Sequence, residues 1–568
     1  MKPVTSHSPT ILDAVYGHES AQPDRVWLTQ PLGGGELLEL SWAPAVDQAR
    51  RMATHLKEHG LQPGEPVAML AKNSAHFILA ELAIWMAGGT TVAIFPTETA
   101  DNIRYVLQHC EARWLFIGKL DDWATQQAAL VGWPAAPRCI ALPLAPATGF
   151  ETWDAIVART APMPGRPQRA PDELAMLLYT SGSTGQPKGV MQTFGAVTAV
   201  AQHIVERCIE QDGGQALDQR CLSYLPLAHC FERAWVECAA LVSGRNHLFF
   251  SESLATFAAD LKRARPTIFV SVPRLYTKFQ QGVLARMPAA QLDAMLDNPA
   301  TAAAVGQQVL AGLGLDAVRQ AGTGSAPMPP SLLRWYARLG LPLVDGYAMT
   351  EDFAYSHSAG REDAVPGRVG RPNPGVQARL ADDGEILVKS PGQMAGYYKA
   401  PELTAESFTE DGYFKTGDLG AYDERGLLQL TGRKKELFKT AKGKYVAPAP
   451  IEGRLAAHPM IELALVAGSG QPAAHAMVLL DETLRPRVAS EPALQAQVES
   501  ELGTLLDKVN ATVASHEHLQ FIVVAKDAWT MANGCLTPTM KIRRARIEAS
   551  VAGAVAGWYD KPGPVIWA

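Results

Sequence analysis

The stretch YTSGSTGQPKGV, residues 179–190, decides how the chain is read. Gly182, Gly185 and Gly189 are interleaved with Thr180, Ser181, Ser183 and Thr184, and Lys188 adds a positive charge. Glycines let backbone N–H groups approach an anion, so the composition suits a loop that holds phosphate. It fails the Walker pattern G-x-x-x-x-G-K-[ST]. Where a Walker loop begun at Gly182 needs its second glycine stands Pro187, and Lys188 is followed by Gly189, not a hydroxyl residue. On composition alone a flexible turn explains it as well. The flanks favour phosphate. The apolar run 174–178 reads as a strand, and Val197, Val200, Ala201, Ile204 and Val205 recur at helical spacing from Phe194 onward. A strand, a glycine-rich loop and a helix are therefore expected, with phosphate among free N–H groups.

The 568 residues exceed one ordinary core and suggest two to four domains. With 47% hydrophobic and 19% charged residues, the chain reads as a soluble globular protein. A net charge of -6 removes any electrostatic case for a nucleic-acid partner. Cys110, Cys139, Cys208, Cys221, Cys230, Cys238 and Cys535 form no CxxC pair or metal-like spacing, which fits a reducing compartment. The N-terminus lacks a secretory pattern, and the weakly polar run 82–95 is too short to span a bilayer. It reads as a buried helix running into a buried strand. A cytoplasmic location follows, with contact at the inner face of a membrane left open. The oligomeric state is not legible.

Alternating helix-like and strand-like runs over the first 160 residues imply an α/β layered fold. Pro162, Pro164, Pro167 and Pro171 mark a surface loop or subdomain boundary. Strands are expected at 267–272, 385–388 and 427–430, and a helix at 331–339 behind Pro329 and Pro330. After Gly432 the character changes. Lysines cluster at 434, 435, 439, 442 and 444, followed by strands at 463–467, 477–480 and 521–524. Leu494, Val498, Leu502, Leu505, Val509 and Val513 form one helical apolar stripe. A division into residues 1–432 and a small α+β unit at 433–568 is expected.

Five segments in order carry a resemblance. They are the opening loop, GYAMTED (346–352), YFKTGDLG (413–420), TGRKKELFKTAKGKYVAPAPIE (431–452) and LTPTMKIRR (536–544). Together they resemble the signature motifs of the acyl-adenylate-forming superfamily: acyl-CoA synthetases, peptide-synthetase adenylation domains and luciferases. SYLPLAHCFER (223–233), VPRLYTKF (272–279) and the segment 72–107 resemble the long-chain fatty acyl-CoA synthetase branch. The resemblance implies a large N-terminal adenylate-forming domain of layered α/β subdomains and a small mobile C-terminal lid. It implies ATP and CoA as substrates, magnesium as cofactor and a fatty acid, medium- to long-chain, as acyl donor.

The same resemblance assigns roles. Thr180, Ser181, Gly182, Ser183, Thr184, Gly185 and Lys188 would close over the β- and γ-phosphates, and Thr184 and Glu351 would hold magnesium, a hard cation suited to oxygen ligands. Gly324, Ser325 and Ala326 of GTGSAP, with Gly346, would let adenine lie against backbone. Tyr347 would stack on the base and Thr350 would bond the α-phosphate. Asp418 would take both ribose hydroxyls and Arg433 would add a donor. Lys541 would stabilise charge on the phosphoryl oxygens as a carboxylate attacks. Lys435, where many relatives have aspartate, would be the hinge, and Gly443 would line the pantetheine channel. His229 and Trp235 are acyl-site candidates. Each also has a plainer reading: Glu351 an exposed acid, Asp418 a turn residue, Arg433 part of a solvated basic cluster. Lys541 would lie on the polar face of a terminal helix capped by Thr539, and Trp235 in the core. His516 and His518 read as a surface loop. Ala348 and Ser183, which replace a common glycine and threonine, are modest departures.

The residues thus favour ATP-dependent formation of acyl-AMP with release of pyrophosphate, then acyl transfer to CoA with release of AMP. Two alternatives stay open: delivery of acyl-AMP to a carrier protein, and a non-catalytic nucleotide- or acyl-binding relative. A P-loop hydrolase is disfavoured by the failed Walker pattern.

Overall fold

The computed structural model describes residues 9–181, 186–326 and 328–568. Its largest sheet has eight strands, with Pro66–Leu70 and Thr90–Ile94 at the centre, both parallel to their neighbours. The helix Ala75–Met86 between them is buried at every residue, so it carries no polar face. That accounts for the first part of the weakly polar run 82–95, read correctly as a buried helix running into a buried strand.

The opening stretch lies at one side of this sheet. Strand Leu174–Ser181 pairs antiparallel with Pro187–Thr193, setting Leu177 opposite Met191 and Thr180 opposite Lys188. The expected strand–loop–helix is therefore corrected to a β-hairpin. The helix Phe194–Gln211 begins only after the second strand, where the Thr193 side chain accepts from the Ala196 N–H. Its N-terminus is thus one strand length from the loop, because 187–193 finds a ladder partner before the chain can turn helical. Gly182, Ser183, Thr184 and Gly185 lie outside the described residues, as does the side chain of Ser181.

A five-stranded sheet runs Ile268–Ser271, Gln320–Thr323, Leu343–Tyr347, His357–Ser358, Arg371–Pro372. Its first three strands are parallel, and the second and third deliver Gly324 and Tyr347 to the same edge. A four-stranded antiparallel sheet carries Phe414–Tyr422 and Leu428–Arg433, whose register sets Asp418 opposite Arg433. The proline-rich segment 161–173 is irregular and connects elements of the large sheet's own layer.

Beyond residue 433 a separate sheet has the order Ile461–Ala467, Ala474–Leu480, Leu519–Val524, Val565–Trp567. Alternation places Ala464 and Val466 with the stripe Val498, Leu502, Leu505 and Val509 on one face. Leu465 and Ala467 meet Ile547 and Trp558 on the other. The helix Pro492–Asn510 stops before Val513, which still packs on the same cluster. The whole is an α/β protein with a large layered N-terminal part and a smaller α+β C-terminal one.

Candidate active site

Four side chains assigned from distant segments meet in one cleft. Tyr347, buried at the end of its strand, donates its hydroxyl to Asp418 Oδ2 at 2.7 Å. Arg433 donates Nε to Asp418 Oδ1 at 2.6 Å. Lys541 stands within electrostatic reach of Arg433, Asp418, Cys230 and Glu436. Water reaches its side chain inside the cleft, yet protein surrounds it. That enclosure, and then the positive charge of Arg433, lowers its pKa from the ordinary lysine range.

Lys541 is not on a helix, which corrects the plainer reading. Thr537 closes a tight turn: its hydroxyl accepts from the Lys541 N–H at 3.1 Å, and its own N–H donates to Lys541 O at 2.8 Å. The terminal helix begins at Arg544 with no side-chain cap, so Thr539 caps nothing; it bonds Thr537 instead. Met540 takes a left-handed φ of 62°, a strained choice for a side chain other than glycine.

The strands ending at Thr323 and Tyr347 pack unusually close. A Cβ on Gly324 would come within 3.2 Å of Gly346 O, so the GTGSAP segment needs glycine there. Ser325 follows with a φ of 69° and is exposed, as is Ala326. Thr350 and Glu351 form a short 3-10 turn. The Thr350 hydroxyl donates to Cys230 Sγ at 3.5 Å, and Glu351 Oε1 accepts from Tyr397 OH at 2.8 Å. Lys188 points its ammonium over the same Tyr397 ring, 5.6 Å from the centroid. Behind this turn Asp352 is buried and its carboxyl is pushed up to about 8, while its Oδ1 accepts from the Met349 N–H.

Below the cleft runs a cavity of about 210 Å³. Gly324, Tyr347 and His229 line it together with the apolar side chains of Ile204, Phe231 and Trp235. His229 Nδ1 accepts from the Phe231 N–H at 3.2 Å, which leaves the proton of a neutral ring on Nε2. Burial, and then Lys541, lower His229 to about 4, so the ring is neutral at pH 7. Trp235 is half-buried and donates Nε1 to Ala354 O at 2.9 Å, serving both core and wall. It sits on a π-helical turn, Arg233–Cys238. Arg233 there is wholly buried and pairs with Glu81 and, at 2.8 Å, with Glu237.

Two assigned residues stay apart from this cluster. Lys435 is exposed in the turn Lys434–Glu436. Gly443, with a φ of 77°, lies in the exposed tip joining Phe438–Lys439 to Tyr445–Val446. His516 and His518 are exposed, and no group of three metal-ligating side chains occurs among the described residues. Sequence reasoning missed Tyr397 and Cys230. Each acts through a partner distant in sequence, 120 residues for Cys230 and 46 for Tyr397, and although Cys230 lies in the segment 223–233, nothing there marks its thiol as a partner of Thr350.

The family model for AMP-binding enzyme matches residues 17–398, and that for the AMP-binding enzyme C-terminal domain matches residues 436–562. The Long-chain-fatty-acid--CoA ligase FadD15 of Mycobacterium bovis is 31% identical, with 96% of each chain aligned. Long chain acyl-CoA synthetase 7, peroxisomal, of Arabidopsis thaliana is 26% identical over 96% of this chain and 85% of its own. Among solved structures, the A domain of carboxylic acid reductase from Segniliparus rugosus superposes with a TM-score of 0.80. It is 23% identical, covering 98% of this chain and 95% of that one, a likeness of fold.

Proposed function

The chain belongs to the AMP-binding enzyme family of adenylate-forming ligases, and from that premise we propose that it is an ATP-dependent fatty acid–CoA ligase. A carboxylate oxygen of a medium- to long-chain acid attacks the α-phosphorus of ATP, and the bond to pyrophosphate breaks. The CoA thiol then attacks the acyl carbonyl, its proton is lost, and AMP leaves. The observation that carries this reading is the convergence of Tyr347, Asp418, Arg433 and Lys541, with Tyr347 also lining a largely apolar cavity. An acyl chain lies in the cavity with its carboxylate at His229 and Cys230, and adenosine lies across Gly324 and Tyr347. Asp418 takes the ribose hydroxyls and Lys541 offsets charge on the phosphoryl oxygens.

Glu351 suits a hard cation, being a carboxylate with one oxygen, Oε1, held by the Tyr397 hydroxyl. Together with Thr184 it would hold Mg2+, which neutralises the phosphates when bound. Residues 433–568 act as a lid hinged at Lys435, with the division from 1–432 between Gly432 and Arg433. Among the described residues no helix is long and apolar enough to cross a membrane. ATP–pyrophosphate exchange measured across fatty and aromatic acids, followed by AMP release with and without CoA, tests the reading. Exchange with fatty acids and CoA-dependent AMP release are expected. Exchange without CoA-dependent release would transfer the acceptor role to a carrier protein.

A further inference from the structure

The segment VPRLYTKF (272–279) has a use that the cleft does not explain. It forms the start of the helix Pro273–Leu284, which follows directly on strand Ile268–Ser271. Its buried face is fixed by Tyr276, whose hydroxyl donates to Gly322 O at 3.1 Å and whose carbonyl accepts from Tyr336 OH at 2.8 Å. Gly322 lies on the strand that leads into Gly324, so the helix is tied rigidly to the nucleotide end of the cavity. Arg274 and Lys278 stand one turn apart on the helix and both turn away from that buried face.

Both reach the C-terminal part. Arg274 Nη2 donates to Glu462 Oε1 at 2.5 Å, and Arg485 holds the other oxygen of the same carboxylate at 2.8 Å. Lys278 Nζ pairs with Glu482 at 3.1 Å. Glu462 is 12% exposed, so water screens this pair less than an ordinary surface one. Glu462 is the second residue of strand Ile461–Ala467, and Glu482 follows strand Ala474–Leu480. The two acids thus sit at the ends of paired strands that share a rigid sheet with the body carrying Lys541. A third approach comes from Arg543, two residues beyond Lys541, which lies within electrostatic reach of Glu98.

We propose that Arg274 and Lys278 are positioning residues: with Glu462 and Glu482 they form a docking strip that holds the C-terminal part where Lys541 enters the cleft. The inference rests on the proposed ligase reading for its kinetic consequence, but not for its geometry. The strip favours the arrangement that makes acyl-AMP, and it must open before the C-terminal part can present Gly443 to the cleft. Exposed pairs of this type are individually weak. Under the proposal their role is to tip a balance between two arrangements, not to supply bulk stability.

The test uses the full-length chain and three forms: wild type, R274E, and the charge exchange R274E/E462R. Trypsin cleavage of the ligand-free protein at 433–435 reads docking without any substrate. R274E should be cut about fivefold faster than wild type, and the exchange should return to within about twofold. About 0.5 M NaCl should raise the wild-type rate toward that of R274E. Pyrophosphate exchange should fall about fivefold in R274E and recover in the exchange, while thioester formation from supplied acyl-AMP is undiminished. Equal cleavage of wild type and R274E, or no recovery on charge exchange, would overturn the docking strip. Loss of both half-reactions together in R274E would overturn its bias toward the first. A wild type that docks as expected but activates no fatty acid would refute the ligase reading and leave the strip intact.

Discussion

Asp418 has both carboxylate oxygens in use, one by the Tyr347 hydroxyl and one by the Arg433 guanidinium. Under the proposed function a ribose diol entering the site would replace or share those bonds, and discrimination by hydrogen bonding would penalise a ligand lacking the hydroxyl. Asp418→Asn keeps the shape but loses the charge and one acceptor. It should raise KM for ATP by about tenfold or more, with the fold retained by circular dichroism. Lys541→Ala should lower pyrophosphate exchange by about 10²-fold or more while thioester formation from supplied acyl-AMP changes little. Unchanged exchange would remove Lys541 from the first step. Tyr397→Phe deletes the hydroxyl that orients Glu351. Its expected effect is about tenfold weaker use of Mg2+ at fixed ATP, read by titrating the metal, because the carboxylate is kept but no longer aimed.

Secondary structure was legible where packing obeys a simple period. The stripe Leu494 to Val513 gave the helix Pro492–Asn510, and the weakly polar run 82–95 gave the end of the helix Ala75–Met86 and the strand Thr90–Ile94. Legibility failed where a partner strand, not local sequence, sets the conformation. Residues 187–193 became a strand because 174–181 offers its edge, and residues 537–541 became a turn because Thr537 bonds across it. Motif resemblance assigned roles to Lys541, Asp418 and Glu351, but contacts such as Tyr397 on Glu351 and Cys230 on Thr350 arise only from three-dimensional proximity. The π-helical turn Arg233–Cys238 belongs in that class too. Its widened coil brings Trp235 to the cavity wall, and π-turns are common at functional positions. Trp235→Ala should therefore enlarge the cavity and shift the preferred acid toward longer or branched chains in a chain-length series, at a stability cost of about 3–5 kcal/mol. Leu502→Ala, in the core of the small sheet's helical face, should cost about 2–5 kcal/mol in that unit. A two-step melt, with only the first transition moved, is the outcome that marks separate cooperative units.

At the scale of the molecule, buried titratable groups pull stability in opposite directions with pH. Burial lowers His55, His76, His229, His247, His357 and His475 to about 4. The unfolded chain takes up these protons near 6.5 and the folded one resists, so their contribution is full above that value and is lost as pH falls toward 4. Glu232 and Asp352 are pushed up to about 8 and Asp345 to about 7, again by burial. Their contribution is full below the ordinary carboxyl range and is lost as pH rises toward those values. The melting temperature should accordingly peak near pH 6.5. His76→Gln should flatten the acid limb and Asp352→Asn the alkaline one, and a melting temperature still climbing from about pH 6.5 to 8 would contradict this balance. The placing of Lys541 beside Arg433 has a consequence of its own. When the part beyond the proposed Lys435 hinge docks, it carries Lys541 toward Arg433, whose charge Asp418 offsets in part, and a polyanion between the two cations would favour that approach further. Under the proposed chemistry ATP is that counter-ion, and the departure of pyrophosphate removes most of the negative charge. The first reaction thereby weakens the closure it required, so the order of the two half-reactions is written into the charge of the nucleotide that remains.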